Sequence, residues 1–420
     1  MFQPSLDLEM QAITYYLNFY LSPTENGPRL SRGVADSVRP LWISRTQNTV
    51  LDLAVSSLAL AVFSRTQRYP PASLKAASKY HQLLQRFQGF IFSLSGSNVD
   101  ICLLIIFLMS RYEDVVHHPG SGSPLSRRLR SFSHHDGALA TLKLWFNQFS
   151  FYQPATDVIK FTRRGLIRSA LLRSHALPDW ILDGAIFGER NFELKYDQII
   201  LQFASLRNRL SLIQVDDFTS TRSKDISSTI NGLVQEAQDI DRALQEWTCS
   251  FPNVWNPQRH ILSEPHPWPL RDFYSRTVYT YSDAGVAATW NQYYATRMLV
   301  DSARLRLLRI SESVSGHLVR EQQIECFHIF ECMANDLASS IPFCLQRFKV
   351  LDDKSISLSM GLEIKPDQAT LVIWPLSIAS SLEDLNIKHT TWFRSELARL
   401  GRIAGVGMLE GAETERWLRL

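Results

Sequence analysis

Cysteine is scarce in this chain. The five that occur in 420 residues, Cys102, Cys249, Cys326, Cys332 and Cys344, are scattered and odd in number. That pattern excludes a disulfide framework and fits a reducing compartment. Long apolar runs are lacking too: the longest, over 101–109, holds nine residues, about half of what a membrane span needs. No single sign of charge dominates, since 44 Lys and Arg face 41 Asp and Glu, a balance of +3. A protein that grips many phosphates carries a stronger local excess of basic residues. The opening MFQPSLDLEM has Asp7 and Glu9 and no basic stretch, so it does not read as a secretory signal. A soluble, intracellular protein without a membrane segment is expected.

Catalytic motifs are equally sparse. There is no Gly-x-Ser-x-Gly elbow and no His-Glu-x-x-His helix. The glycine-rich GSGS at 120–123 and GRIAGVG at 401–407 follow no predicted strand and lack the Lys-Ser/Thr of a phosphate loop. Small residues at 401–407 suit close approach of two helices instead. No enzyme activity is read from the sequence. A helical enzyme would have to bring groups such as His134, Arg297 and Glu331 into one cavity.

What the chain does have is apolar residues at helical spacing, within a composition that is 45% hydrophobic. Helices are predicted over 48–65, 73–92, 99–113, 132–149, 154–174, 196–212, 227–250, 279–308, 318–340, 367–381 and 384–408. In 48–65, Leu51, Val55, Leu58, Ala59 and Val62 form one stripe. In 73–92, Leu74, Ala77, Leu84 and Phe87 are expected inward, with Lys75, Lys79, Gln82 and Arg86 outward. The 99–113 helix is apolar all round and so expected to be buried. Over 154–174 the residues Lys160, Arg163, Arg164, Arg168 and Arg173 form a basic face, the stretch best suited to phosphates if any is.

Breaks are expected at 117–130, at 216–224 and at the proline-rich 254–270, read as an ordered surface loop. The most telling stretch is ATLVIWPLSIASS at 369–381. There Leu371, Trp374, Ile378 and Leu382 fall on successive turns, and Pro375 either kinks the helix or starts it. No strand-rich region is predicted, and no fixed repeat. The fold class is all-α: a single large multi-helix domain of antiparallel packed helices. Residues 1–47 are an N-terminal segment, 48–410 the helical domain with a weak division near 215–272, and 411–420 a C-terminal tail.

Three constellations bear on function. Cys326, His328 and Cys332 do not converge on a helix, because the first lies 200° and 240° of rotation from the others at about 100° per residue, and no fourth ligand is near. No metal site is assigned. Trp290, Tyr294 and Arg297 combine stacking with anion recognition and form a candidate ligand pocket, whereas Arg297, Asp301 and Arg304 alone read as an ion-pair ladder along a helix surface. Arg127, Arg128 and Arg130, in SRRLRS, form a candidate nuclear-import patch. The pairs His117-His118 and His134-His135 read as solvated loop histidines.

Several stretches together carry a resemblance. They are 48–63, 80–84, 101–113 with its final Tyr112-Glu113, and HHDGA at 134–138. WNQYYATRM at 290–298, NDLASSIPFCLQRF at 335–348, 371–379 and WFRSELARLGRIAGVGM at 392–408 complete the set. In order and spacing they resemble the regulatory (middle homology) domain of fungal zinc binuclear cluster transcription factors, over roughly 9–410. Tyr294 departs from the arginine, and Ser131 from the tryptophan, that members often carry. The family's DNA-reading module, six cysteines in two close-set clusters, has no counterpart here.

The resemblance implies a nuclear regulatory domain of an RNA polymerase II transcription factor that controls gene expression through effector or co-regulator binding. DNA would be reached only through a zinc cluster absent from this chain, so zinc is a cofactor only if that cluster exists elsewhere. The chain is expected to be either a separated regulatory domain or a member that has lost its DNA reader. The alternative is a non-DNA-binding interaction protein that forms homodimers or heterodimers with related factors and modulates them.

Overall fold

The structure is a computed structural model that describes residues 7–21, 32–44, 48–117, 124–213, 223–262, 271–315, 318–351, 355–359, 363–414 and 417–420. It is 73% helical and 4% strand, an all-α architecture. Seven helices come first: α1 (Leu8–Tyr20), α2 (Val38–Ser44), α3 (Thr49–Thr66), α4 (Pro70–Ile91), α5 (Val99–Val116), α6 (Pro124–Gln148) and α7 (Asp157–Arg173). Then follow α8 (Asn191–Leu212), α9 (Ser223–Cys249), the hairpin β1 (Gln258–Ile261) and β2 (Thr277–Thr280), α10 (Ala284–Ser315) and α11 (Leu318–Cys344). A second hairpin, β3 (Phe348–Val350) and β4 (Ile356–Leu358), precedes α12 (Pro366–Ala379) and α13 (Ile387–Ile403).

Two apolar cores organise these helices. The first forms around α3, which the Asn48 side chain starts by accepting the amides of Val50 and Leu51 at 3.1 Å. Leu, Val, Ala and Ser succeed one another on all its faces, so it is buried nearly all round and packs on α1, α4 and α5. Its length and composition alone would suffice to cross a membrane, but 67% of it is buried inside the bundle. The second core surrounds the 32-residue α10, which packs along α9, α11 and α12. Helix α7 serves both: Val158, Ile159, Phe161 and Leu166 belong to the first core, Ile167 and Leu171 to the second. Near the C-terminal end, Arg65 holds Glu410 at 2.7 Å and donates to the Val115 carbonyl at 3.0 Å. A side chain on Gly407 would run into the His117 carbonyl and the Arg65 guanidinium there.

Several local expectations are corrected. The buried stripe of α4 is Ala72, Ala76, Leu83 and Phe87; Leu74 is 77% exposed and Leu84 also faces solvent. The small alanines let α4 approach α3 closely, which larger residues at those positions would prevent. Within α12 the fully buried residues are Ala369, Val372, Leu376, Ile378 and Ala379, while Leu371 and Trp374 are half-buried. Pro366 opens α12, and Pro375 lies buried inside it. Helix α6 begins at Pro124, so the break at 117–130 is shorter than expected, and α1 and α2 add two helices not predicted. The proline-rich 254–270 contributes a strand, whose partner, Thr277–Thr280, takes the first two residues of the helix expected over 279–308, so that α10 begins only at Ala284. In 401–407 the close approach is to the 3-10 turn that follows, where a side chain on Gly401 would lie 2.8 Å from the Leu409 Cβ.

Candidate functional site

The side chains of α7 form a polar region inside the molecule. The Thr156 hydroxyl caps this helix by accepting the Ile159 amide at 3.3 Å, and Ser174 ends it in a left-handed conformation with φ 54°. Lys160, Arg163 and Arg164 therefore sit on turns fixed at both ends, and all three point inward. The Lys160 ammonium meets Glu193 at 2.6 Å and donates to the Gly188 carbonyl at 3.1 Å. Gly188 has φ +81°, a conformation that suits glycine. Arg163 is 0% exposed. It forks onto Asp197 at 2.6 and 2.9 Å, and its Nε donates to the Ile181 carbonyl at 2.7 Å. Arg164 forks onto Glu189 at 2.7 and 2.6 Å. Burial opposes its charge, yet Glu189, and behind it Glu193, raise its pKa above the ordinary arginine value.

The basic face read over 154–174 is thus largely an inward face, and the correction has a simple cause. Glu193 and Asp197, four apart on α8, present carboxylates at the same spacing as Lys160 and Arg164 on α7. Neutralised pairs of this kind can be buried where lone charges cannot. Arg168 is the exception. Half-buried on the next turn of α7, it places its guanidinium 5.2 Å over the Trp374 ring of α12. No carboxylate contacts it among the described residues. Burial, and then Arg164 one turn away, hold its pKa below the ordinary value.

A small cleft opens beside Arg168, lined by residues of α7, α8, α10 and α12 that include Tyr196, Gln292 and Trp374. Its free space is about 30 Å³. Tyr196 is fixed there by its hydroxyl, 2.9 Å from the Thr296 hydroxyl. Its apolar lining, Ile167, Leu171, Tyr196 and Ile200, belongs to the second core, and the same helix α7 runs back from it into the first.

Comparison with protein-family models, with curated proteins and with solved structures finds no match. The site is therefore read from its own residues.

The candidate pocket of Trp290, Tyr294 and Arg297 is arranged differently from the sequence expectation. All three lie on α10, but Trp290 donates its indole N–H to the Trp255 carbonyl at 2.8 Å, and Tyr294 is buried among Trp290 and Tyr293. Arg297 forks onto Asp241 of α9 at 2.5 and 3.1 Å, so its charge is already met. The ladder on a helix surface is corrected too: Asp301 and Arg304 are buried in the second core. Asp301 accepts weakly from the Cys326 thiol at 3.7 Å, and its other oxygen has no hydrogen-bond partner among the described residues. Burial, reinforced by Asp241, pushes its pKa up to about 8.

The remaining residues scatter. His134 and His135 lie in α6, not in a solvated loop. His134 Nε2 is 3.0 Å from Glu113, and His135 Nδ1 is 2.6 Å from the Ser169 hydroxyl. Glu331 pairs with the Asn386 amide at 2.7 Å. His134, Arg297 and Glu331 therefore occupy three separate neighbourhoods. Cys332 faces His328 at 3.8 Å while Cys326 is turned into the core, and no group of three or more His, Cys, Asp or Glu among the described residues is placed to hold a metal. Arg127, Arg128 and Arg130 fall on the first turns of α6, with their side chains outside the described residues; His118 and the 120–123 glycines lie outside them altogether.

Proposed function

We propose that this chain is a helical regulatory domain of a fungal RNA polymerase II transcription factor. It would act in the nucleus through co-regulators rather than by catalysis, with DNA reached through a zinc cluster outside these residues. The observation that carries this reading is the seam at α7. One helix is shared by two cores, all but one of the charges it turns inward are paired, and a cleft opens beside it on the second-core side. A molecule held there with different affinity in two packings of the cores would shift their populations. The inward turn of Lys160, Arg163 and Arg164 also removes the best phosphate-facing surface from the chain, in keeping with DNA recognition by a separate module.

The test has two arms. Titration of the purified chain against random duplex DNA at two salt concentrations is expected to give weak binding with little salt dependence. Fusion of the chain to an unrelated DNA-binding domain is expected to change transcription of a reporter in fungal cells. Tight, steeply salt-dependent binding by the chain itself, or a fusion with no effect on the reporter in either direction, would sink the reading.

One observation favours the second reading, a partner of related factors that modulates them without binding DNA. Phe92, Phe151 and Tyr152 are each more than four-fifths exposed, on turns that meet where Gly96 packs against the Gln153 side chain. In that case the fusion is silent, and the free chain damps an intact relative expressed beside it.

A further inference from the structure

The charges at the α7–α8 seam do not cancel. Lys160, Arg163 and Arg164 are matched by Glu189, Glu193 and Asp197, each carboxylate being held by at least one of the three cations. Arg168 is the surplus cation, next to the matched set and half-buried. The Trp374 ring offers it a face, which attracts a cation weakly compared with a carboxylate. Glu193 and Asp197 also line the cleft. Their oxygens are engaged by Lys160, Arg164 and Arg163, so they present little free negative charge to an incoming anion.

We propose that this cleft binds a small organic acid whose carboxylate pairs with Arg168 and whose flat apolar body lies against Trp374. The free space of about 30 Å³ is on the scale of one water molecule. It therefore takes the carboxylate head and leaves the body of the ligand outside, on the half-exposed indole. Tyr196 and Gln292 border the same space and can donate to the second carboxylate oxygen. The planar guanidinium suits a two-toothed pairing with a carboxylate, which a halide cannot make; a phosphate can make it but is bulkier than the small space favours. The site deepens the regulatory reading and rests on it for its purpose, though not for its chemistry, since the pairing follows from the cleft alone.

Thermal unfolding of the full chain with benzoate, acetate and benzamide separates the contributions. Benzoate carries both features, acetate the carboxylate without the ring, and benzamide the ring without the charge. Benzoate is expected to raise the unfolding midpoint with the logarithm of its concentration above Kd, by about 3 °C at about 100 times its Kd. Acetate should bind about tenfold more weakly or worse, and benzamide should leave the midpoint unchanged. Arg168→Gln should abolish the benzoate shift, and Trp374→Leu should weaken benzoate toward acetate while leaving acetate alone.

If Arg168→Gln does not fold, Arg168→Lys serves instead. It keeps the charge but loses the planar fork, and is expected to weaken benzoate at least tenfold. Equal shifts with benzamide and benzoate, no shift with benzoate, or a full shift retained in the folded Arg168 variant would each overturn the proposal. A reporter fusion that responds normally while benzoate fails to bind would overturn the ligand site and leave the regulatory reading standing. The reverse result would overturn only the regulatory reading.

Discussion

Arg163→Met tests the inward face of α7 most directly. Met replaces the guanidinium with an apolar chain of similar reach, so the volume is roughly kept and the charge is lost. What remains is Asp197, buried without its partner, and the Ile181 carbonyl without its donor. Removing one member of a buried pair costs about 3–5 kcal/mol, chiefly because the other charge is stranded. With an unfolding entropy of about 2.1 cal/mol/K for each residue, a cooperative loss of that size lowers the midpoint by roughly 3–6 °C.

The double variant Arg163→Met with Asp197→Asn should regain about 1–3 kcal/mol, because the stranded charge is gone while the side chain keeps its shape beside Gly184. Protonation has the same effect. In Arg163→Met the folded pKa of Asp197 lies above its unfolded value, so the deficit is smallest at about pH 4 and grows as pH rises through the folded pKa. Urea unfolding followed by far-ultraviolet circular dichroism, at several pH values, compares both variants with the unchanged protein. A single-variant loss below about 1 kcal/mol, or a double variant no better than the single, would refute a buried pair at this position.

Three further outcomes are expected. Asp301 has a folded pKa of about 8 against an ordinary value of 3.8, so its share of stability falls as pH climbs between those values, by up to about 1.4 kcal/mol per pH unit; Asp301→Asn should flatten the urea midpoint across that window despite Asp241, Arg297, Arg304 and Cys326 around it. Gly407→Ala forces a methyl into the His117 carbonyl and the Arg65 guanidinium and should cost about 1–3 kcal/mol in the same unfolding assay. Replacing Phe92, Phe151 and Tyr152 together by Ser should change stability by no more than about 0.5 kcal/mol per site, while lowering any damping of a co-expressed relative in the reporter assay.

Most of the helices were legible in the sequence because apolar spacing, caps and prolines are local signals. Asn48, Thr156 and Pro366 each stand at a start that the pattern already suggested. Which face of a helix is buried was harder. In α4 two stripes compete, and the winning one contains Ala72 and Ala76, whose value is the closeness they allow to α3 rather than their own hydrophobicity. Ranking large residues favours Leu74 and Leu84, which end up in solvent.

Charged residues were least legible. Arg297 read as part of a ligand pocket or of a ladder with Asp301 and Arg304, because its partner, Asp241, lies 56 residues earlier on another helix. For α7 a signal did exist: Lys160, Arg164 and Arg168 recur every four residues, and Glu189, Glu193 and Asp197 repeat the same interval. Two complementary rows at one period can zip together in a core. Reading them jointly would have found the seam, and adding Arg163, which takes Asp197, makes four cations to three carboxylates and leaves one cation over.

Sharing α7 between the cores also bears on how the molecule comes apart. Neither core can open without exposing residues that the other needs, and the ion pairs of α7 lose their carboxylates once α8 departs. Amide hydrogens of α7 should therefore exchange as slowly as any in the chain, in a single cooperative event that reports both cores. The two halves would then breathe as one body at this helix, and looseness would gather at their far ends.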